Sequence, residues 1–199
     1  AAQAEISNAK NDMLEPTQYC HKYEGEYRKE IIGKVYTLYQ KRLKENNAVD
    51  FDDLLKRPVM LFLENEDILD KYQERYKYIL IDEYQDTNEV QYKLVKMLAS
   101  KYRNLFVVGD VNQSIYGFRW SNYKNILNFE KDYPEAVSIT LNQNYRSTNT
   151  ILNAANNVIK NNKERKEKNL WSTKGQGEKI TYYRAFNGID EAQYVAREI

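Results

Sequence analysis

Two short apolar runs, each ending abruptly in acidic or polar residues, constrain the fold of this chain more than any other feature. They occupy residues 78–81 and residues 105–108. Runs of this length and composition are typical of strands that are buried on both faces of a parallel sheet. Between them, Asp86 and Glu89 resemble a capping box, which predicts an intervening helix. The order strand, helix, strand predicts a right-handed βαβ unit and a fold of the α/β class.

Residues that are suited to phosphate chemistry follow both predicted strands. Because ligands bind at the carboxyl ends of parallel strands, we expect Asp82 and Gln113 to lie at the same edge of the sheet. The Asp82 carboxylate is able to hold Mg²⁺ while phosphate oxygens and water complete the coordination shell. The next carboxylate, Glu83, is able to orient or deprotonate an attacking water. The Gln113 amide both donates and accepts hydrogen bonds, which suits a contact with a terminal phosphate.

Arg146 is a further candidate, because its planar cation can stabilise charge on a phosphoryl group during transfer. The Asp82-Glu83 pair and Arg146 each have a structural alternative. An Asp-Glu pair after an apolar run is more commonly a strand end followed by a helix cap, and an arginine more commonly forms a structural ion pair. The residues taken one at a time leave these alternatives open.

The rest of the chain alternates between helical and extended patterns. Before the first strand, apolar residues at helical spacing predict a helix at 27–46, a second helix that begins after an N-cap at Asp50 and is interrupted or kinked near Pro58, and a third at 68–76. After the second strand, we predict strands at 138–141 and 179–183, a turn at 175–177, and helices that begin near Ser147 and Asp190. The alternating charges of residues 163–168 indicate a solvated, flexible segment.

Composition and cysteine content narrow the class of protein. The 199 residues carry 30 basic and 29 acidic side chains, and a net charge of +1 neither favours nor excludes nucleic acid. Hydrophobic residues at 42% indicate a globular chain. Cys20 is the only cysteine, so no internal disulfide can form, and the Cys20–His21 pair lacks the further ligands of a metal site. Without an apolar span or an export leader, we expect a cytoplasmic protein that binds no membrane.

Three polar clusters resemble, in order and in approximate spacing, the motifs of a known helicase family. Residues 82–88 resemble motif II of the superfamily 1 helicases, residues 109–119 resemble motif III, and residues 141–148 resemble motif IV. Further segments resemble the UvrD/PcrA-type branch of that superfamily, namely residues 50–54, 153–162 and 190–193. The resemblance therefore covers nearly the whole chain.

The resemblance implies a domain order. Residues 1–48 would be the end of the helical 1B insertion, residues 49–136 the later part of the RecA-like P-loop motor domain 1A, and residues 137–199 the beginning of a second RecA-like domain, 2A. The phosphate-binding loop of the family, Gly-x-x-x-x-Gly-Lys-Ser/Thr, does not occur in the 199 residues. The family places this loop before residue 1, so the chain is expected to be a central fragment that lacks it.

For the ATP site, the resemblance assigns one role to each matched position. Asp82 would bind Mg²⁺, and Glu83 would be the catalytic base. Gln113 would sense the γ-phosphate, and Arg146 would contact the same phosphate from the second motor domain. Tyr145 would stack near the adenine. The implied cofactors are ATP and Mg²⁺.

For DNA, the resemblance places Tyr116, Phe118 and Arg119 along the path of the single strand, where aromatic faces stack on bases of any sequence. The sequence departs from the family pattern in three places. Phe118 stands where the family usually has tryptophan, Trp120 where it has a small residue, and Asn112 where aspartate is more usual. These departures leave open whether Phe118 or Trp120 contacts the bases.

The function implied for the parent protein is that of an ATP-dependent helicase, which moves 3′ to 5′ along single-stranded DNA and unwinds duplex junctions in repair or replication. The fragment alone is expected to be inactive. A non-catalytic DNA- or protein-binding module built on the same fold is the alternative. A degenerate nucleotide-binding relative is a third reading, which the presence of Glu83, Gln113 and Arg146 disfavours.

Overall fold

The computed structural model describes residues 2–163 and 168–199, apart from the side chain of Arg119. Most of the charged segment predicted to be flexible, residues 164–167, lies outside the described residues. The chain divides into two compact units, Ala1–Ala136 and Val137–Ile199. In the described residues, no helix is both long enough and apolar enough to cross a bilayer.

The first unit contains seven helices and two strands among its described residues. In chain order these are α1 (Ala2–Asn11), α2 (Pro16–Lys22), α3 (Tyr27–Glu45), α4 (Phe51–Glu64), α5 (Glu66–Arg75), β1 (Ile79–Ile81), α6 (Glu89–Ala99), β2 (Leu105–Val107) and α7 (Lys124–Asp132). Three single 3₁₀ turns follow the strands, at Tyr84–Asp86, Val111–Gln113 and Gly117–Arg119. The unit is mainly helical, with two short strands.

The two strands pair in parallel, as their sequences predict. Ile79 lies opposite Leu105, and Ile81 lies opposite Val107. The expectation that both faces of the sheet are buried is wrong for the described residues, because Leu80 is 74% exposed and Phe106 is 60% exposed. These central side chains point to the same face of the sheet, since paired residues in a ladder share a face. No described element of the first unit covers that face.

Helix caps explain where α4 and α6 begin. The Asp50 side chain accepts a hydrogen bond from the Asp53 N–H and caps α4, as predicted, and α4 continues through Pro58 without interruption. The predicted capping box at Asp86 and Glu89 is wrong. Asp86 belongs to a 3₁₀ turn, so the helix begins later, and Asn88 caps it in a reciprocal capping box with Gln91.

Helix α3 contacts α2 through a small residue. Its buried positions are Ile32, Gly33 and Tyr36, and a Cβ at Gly33 would lie 2.6 Å from the Cys20 Sγ. The core of this region contains Tyr19 and Tyr36, whose rings meet edge to face with centroids 6.2 Å apart. The apolar residues from which the helix was predicted lie on another face and are exposed: Tyr27, Ile31, Val35, Leu38 and Tyr39.

Two buried lysines tie α1 and α2 to α4. Lys10 is fully buried, and its Nζ lies 2.6 Å from the Asp50 Oδ2 and 3.0 Å from the Asp53 Oδ1. Lys56 is 2% exposed and donates to the Leu14 carbonyl at 2.7 Å, while Glu15 lies 2.6 Å away. Buried charges are tolerated only when they are paired and hydrogen-bonded, and both lysines meet that condition.

The second unit contains two helices among its described residues, α8 (Asn149–Ile159) and α9 (Gly188–Glu198). The N-cap of α8 is Thr148 rather than the predicted Ser147, because the Asn144 Oδ1 already holds the Ser147 N–H in a turn at 2.7 Å. The N-cap of α9 is Asn187, so this helix begins two residues before the predicted Asp190.

Both strands predicted for the second unit are wrong. Residues 138–141 and 179–183 are without regular structure. A strand is defined by hydrogen bonds to a neighbouring strand, and neither segment has such a partner within the described residues. The predicted turn at 175–177 is confirmed, because Gly175 and Gly177 have φ angles of 74° and 70°, a backbone conformation that favours glycine.

Candidate functional site

The carboxyl ends of β1 and β2 form one continuous edge. The Val108 N–H donates to the Ile81 carbonyl at 2.8 Å, and the Tyr84 N–H donates to the Val108 carbonyl at 2.9 Å. Parallel pairing and these two hydrogen bonds bring the segment after β1 alongside the segment after β2. Asp82 and Glu83 therefore lie at the edge of the sheet where the segment that contains Gln113 also starts.

Asp82 and Glu83 are both exposed at this edge. One oxygen of Asp82, Oδ1, accepts a hydrogen bond from the Glu83 N–H at 2.9 Å. Glu83 itself has a left-handed backbone, with φ 49° and ψ 43°. Non-glycine residues seldom adopt this conformation, and those that do cluster at functional sites, where the surrounding structure holds them.

The turn that follows Glu83 is anchored by aromatic packing against α7. Tyr84 is 1% exposed, and its ring meets Phe129 of α7 edge to face, with centroids 5.8 Å apart. Burial raises the pKa of the Tyr84 hydroxyl. A fixed aromatic residue directly after Glu83 explains how the fold holds the unusual backbone at that position.

Gln85 joins the two strand ends through both atoms of its amide. It is 1% exposed. Its Nε2 donates to the Glu83 Oε2 at 2.7 Å, and its Oε1 accepts from the Asp110 N–H at 2.9 Å. Asp110 in turn accepts from the Gln113 Nε2 at 2.8 Å through its Oδ2. A chain of three hydrogen bonds therefore runs from Gln113 to Glu83.

Gly109 leaves the space that the Gln85 amide fills. A Cβ at this position would lie 2.6 Å from the Gln85 Oε1 and 2.8 Å from the Ile126 Cδ1. The sequence alone indicates no individual role for Gly109 or Gln85, although both lie inside the motif-like clusters. The available signal was an uncharged amide close to two acids, Glu83 and Asp86, to which it can donate.

Asp86 lies at the same edge in a less polar setting. Burial raises the pKa of its carboxyl, the Glu83 carboxylate raises it further, and a hydrogen bond from Gln85 works in the opposite direction. Its Oδ1 is buried without a hydrogen-bond partner in the described structure. Asp86 therefore favours the protonated state more than an isolated aspartate does.

Aromatic side chains follow the Gln113 turn. Phe118 is 73% exposed and Tyr116 is 38% exposed, with ring centroids 5.9 Å apart. Trp120 is 46% exposed and has a left-handed backbone with φ 68°. The side chain of Arg119 lies outside the described residues. Exposure of Phe118 to this degree is incompatible with a core-packing role within the first unit.

The aromatic segment is tied back to the turn after β1. The Asn122 N–H donates to the Thr87 carbonyl at 2.9 Å. Asn125 is 4% exposed and donates to the same carbonyl at 3.2 Å. Residues 110–122 are therefore held at both ends by residues 85–87, at one end through Gln85 and at the other through Thr87.

In the second unit, Tyr145 and Arg146 are both exposed. The Asn144 Oδ1 accepts from the Arg146 N–H at 2.9 Å, and the Arg146 carbonyl accepts from the Lys174 Nζ at 3.0 Å. The Tyr145 hydroxyl donates to the Gln143 Oε1 at 3.1 Å. Within the described ranges no carboxylate pairs with the Arg146 guanidinium, so the alternative role of a structural ion pair has no support in this unit.

The residues at the edge suit a magnesium ion that is shared with a nucleotide. The described residues contain no group of three or more potential metal-binding side chains. Mg²⁺ in nucleotide sites uses only one or two carboxylates, and phosphate oxygens and water provide the remaining ligands. The exposed Asp82 carboxylate fits that donor set, with Asp82 as the residue that would hold the ion.

Comparison with known proteins defines the class. Residues 1–134 match the UvrD/REP helicase N-terminal domain, and residues 139–199 match the UvrD-like helicase C-terminal domain. The first match alone covers more than half of the chain, and this chain belongs to the UvrD/REP helicase family.

Several similar relatives share one name. The chain is 55% identical over 194 residues to the ATP-dependent DNA helicase PcrA of Staphylococcus aureus, a match that covers 98% of this chain and 26% of the relative. It is 52% identical, with the same coverage, to the ATP-dependent DNA helicases PcrA of Leuconostoc citreum and Staphylococcus epidermidis. The chain thus spans about a quarter of the length of the curated relatives it matches.

Proposed function

We propose that this chain is part of an ATP-dependent DNA helicase that moves 3′ to 5′ along single-stranded DNA and unwinds duplex junctions. The observation that carries the proposal is the shared edge of β1 and β2, where Asp82, Glu83 and the Gln113 segment come together. The family relationship supports the same conclusion, since its relatives are named as ATP-dependent DNA helicases. Cytoplasmic DNA repair or replication is the setting that we propose for it.

The proposal includes the domain order. Residues 1–48 would complete a helical 1B insertion, residues 49–136 the RecA-like motor domain 1A, and residues 137–199 would begin motor domain 2A. The parallel strands support a RecA-like motor, because such motors are built on a parallel sheet with functional groups at its carboxyl edge. The two family matches, which meet between residues 134 and 139, support a domain change near that point.

In this proposal each residue at the edge has one task. Asp82 would hold the Mg²⁺ ion, which neutralises charge on the phosphate oxygens of ATP when it is bound. Glu83 would take a proton from the attacking water. Gln113 would contact the γ-phosphate through its amide, which can donate to an oxygen of the phosphate.

The second unit would contribute two further groups. Arg146 would supply positive charge to the γ-phosphate, and its exposed guanidinium supports that role. Tyr145 is 73% exposed and would stack against the adenine ring. DNA would pass over Tyr116, Phe118 and Arg119, where stacking does not depend on sequence.

The test is Glu83→Gln in the full-length helicase that contains this chain. We expect ATP hydrolysis and unwinding to fall by roughly 10²–10⁴-fold, the range for loss of a general base. ATP affinity should stay close to that of the wild type, because Mg²⁺ binding rests on Asp82. The measurements are steady-state hydrolysis with single-stranded DNA, strand separation, and equilibrium binding of a nucleotide analogue.

A matched control is Glu66→Gln, which neutralises an exposed carboxylate in the first turn of α5. This variant should keep wild-type activity. If Glu83→Gln hydrolyses ATP as fast as the wild type, Glu83 is not the base and the proposed mechanism is wrong.

A further inference from the structure

The buried amide of Gln85 occupies a position from which it can control both the catalytic carboxylate and the phosphate sensor. Its Nε2 lies 2.7 Å from the Glu83 Oε2, and its Oε1 lies 2.9 Å from the Asp110 backbone nitrogen. An uncharged amide donates from its nitrogen and accepts at its oxygen, which is what these two contacts require. The residue is 1% exposed, so water does not compete for either hydrogen bond.

We propose that Gln85 is a positioning residue for ATP hydrolysis, which fixes the Glu83 carboxylate and links it to the Gln113 segment. The inference rests on the proposed function, in which Glu83 is the base. Gln85 does not touch the reacting atoms itself. It acts by holding one oxygen of Glu83, so that the other oxygen keeps a constant orientation towards the attacking water.

The second half of the role concerns Gln113. Its Nε2 donates to the Asp110 Oδ2 at 2.8 Å, and the Asp110 N–H donates to the Gln85 Oε1. The Gln85 carbonyl also accepts from the Ser114 Oγ at 3.4 Å. A displacement of Gln113 on contact with a phosphate therefore reaches Glu83 through Asp110 and Gln85, with no intervening solvent at the buried amide.

The surroundings of Gln85 restrict the residue at this position. Gly109 gives the amide its space, since a Cβ there would lie 2.6 Å from the Gln85 Oε1. A hydrophobic residue of similar length would fill the space without either hydrogen bond. A glutamate would keep an acceptor for the Asp110 N–H and would place a second carboxylate against Glu83.

The decisive experiment measures Gln85→Met and Gln85→Glu in the full-length helicase. We expect Gln85→Met to lower kcat by roughly 10- to 100-fold, the range seen when groups that orient metal ligands are removed. The KM for ATP should change by less than about twofold, because nucleotide binding does not depend on Glu83. Gln85→Glu should lose at least as much kcat, because two adjacent carboxylates repel each other. The Gln85→Glu variant keeps the hydrogen bond from the Asp110 N–H. It therefore still tests the proposal if Gln85→Met fails to fold.

Gln73 offers a matched control for the loss of a buried glutamine. It is 6% exposed and donates to the Met97 carbonyl at 2.7 Å and to the Ser100 Oγ at 2.9 Å. Gln73→Met removes two hydrogen bonds from α5 to the C-terminal end of α6 and its cap Ser100, so it should lower the thermal midpoint and leave kcat unchanged. A purely structural Gln85 would behave in the same way.

A double variant separates positioning from a general loss of structure. If Gln85 acts through Glu83, then adding Gln85→Met to Glu83→Gln should cause no further loss in single-turnover hydrolysis. Multiplicative losses in the double variant would overturn the proposal, and so would a wild-type kcat in Gln85→Met. If Glu83→Gln alone hydrolyses ATP normally, the proposed base is wrong and the positioning role falls with it. The single variants thus show which of the two ideas has failed.

Discussion

Next to the candidate site, Gly109 is a position with no room for a larger side chain. A Cβ there would lie 2.6 Å from the Gln85 Oε1, 2.8 Å from the Ile126 Cδ1 and 3.2 Å from the Tyr84 nitrogen. The last of these atoms belongs to the backbone, which cannot move aside as a side-chain end can. Any larger residue at 109 must therefore displace the turn after β1.

Gly109→Ala should lower the free energy of unfolding by about 1–3 kcal/mol, the usual cost of overpacking a filled site. Urea unfolding of the purified chain measures this change. Gly117→Ala is the matched control, because a Cβ at Gly117 meets no atom within 4 Å. Its effect should stay within about 0.5 kcal/mol. Equal stability of the two variants would contradict the packing described around Gly109.

At this scale, sequence reasoning indicates residues whose own chemistry suggests a role, and it gives no role to a residue that would act through its neighbours. The sequence indicates Asp82, Glu83 and Gln113, because acids and amides after apolar runs have recognisable uses. Gln85 was not assigned a role, because its two partners are fixed by tertiary structure. Its contact with Asp110 crosses 25 residues of sequence, and no local pattern encodes such a contact.

At the scale of elements, the two strands were predictable because each is a local apolar run with a clear end. The predicted strands at 138–141 and 179–183 failed because a strand needs a neighbour, and the sequence does not state which segments pair. The sequence does not single out Asn88 as the cap, because Asp86 and Glu89 have the same capping-box spacing of three residues as Asn88 and Gln91. The 3₁₀ turn that displaced the helix start depends on the buried Tyr84, which is a tertiary contact.

The segment from Asp110 to Asn122 is an element of its own, held at both ends by residues 85–87. Movement at its Gln113 end should therefore reach its aromatic end, which would be a physical route for coupling ATP to DNA in the proposed function. If nucleotide changes DNA affinity, then DNA changes nucleotide affinity by the same factor.

Phe118→Ala in the full-length helicase should remove stacking worth roughly 1–3 kcal/mol per base. We expect weaker binding of single-stranded DNA and less stimulation of hydrolysis by DNA, with basal nucleotide affinity close to normal. Phe186→Ala is a control for the loss of an exposed aromatic ring, because Phe186 is 97% exposed and lies outside residues 110–122. Unchanged DNA affinity together with unchanged stimulation in Phe118→Ala would leave Trp120 as the base-contacting candidate.

At the scale of the whole molecule, the 199 residues contain the acidic and sensor parts of the candidate ATP site without a phosphate-binding loop. The backbone N–H groups and lysine of such a loop supply preorganised charge to the triphosphate. Loss of preorganised charge slows catalysis by orders of magnitude.

The 199-residue chain should therefore show no steady-state ATP hydrolysis above background, with or without single-stranded DNA. The same chain carrying Glu83→Gln provides the background, since it should give an identical rate. Turnover by the unmodified chain that disappears in Glu83→Gln would contradict this prediction.

The left-handed backbone of Glu83 has a consequence for engineering. At φ 49° and ψ 43°, a side chain carries a steric penalty of roughly 1–2 kcal/mol that glycine avoids. Selection of this protein for heat tolerance alone would favour glycine at position 83 and would remove the acid. With Glu83 as the proposed base, thermostability and turnover of the full-length helicase would make opposite demands on this one residue.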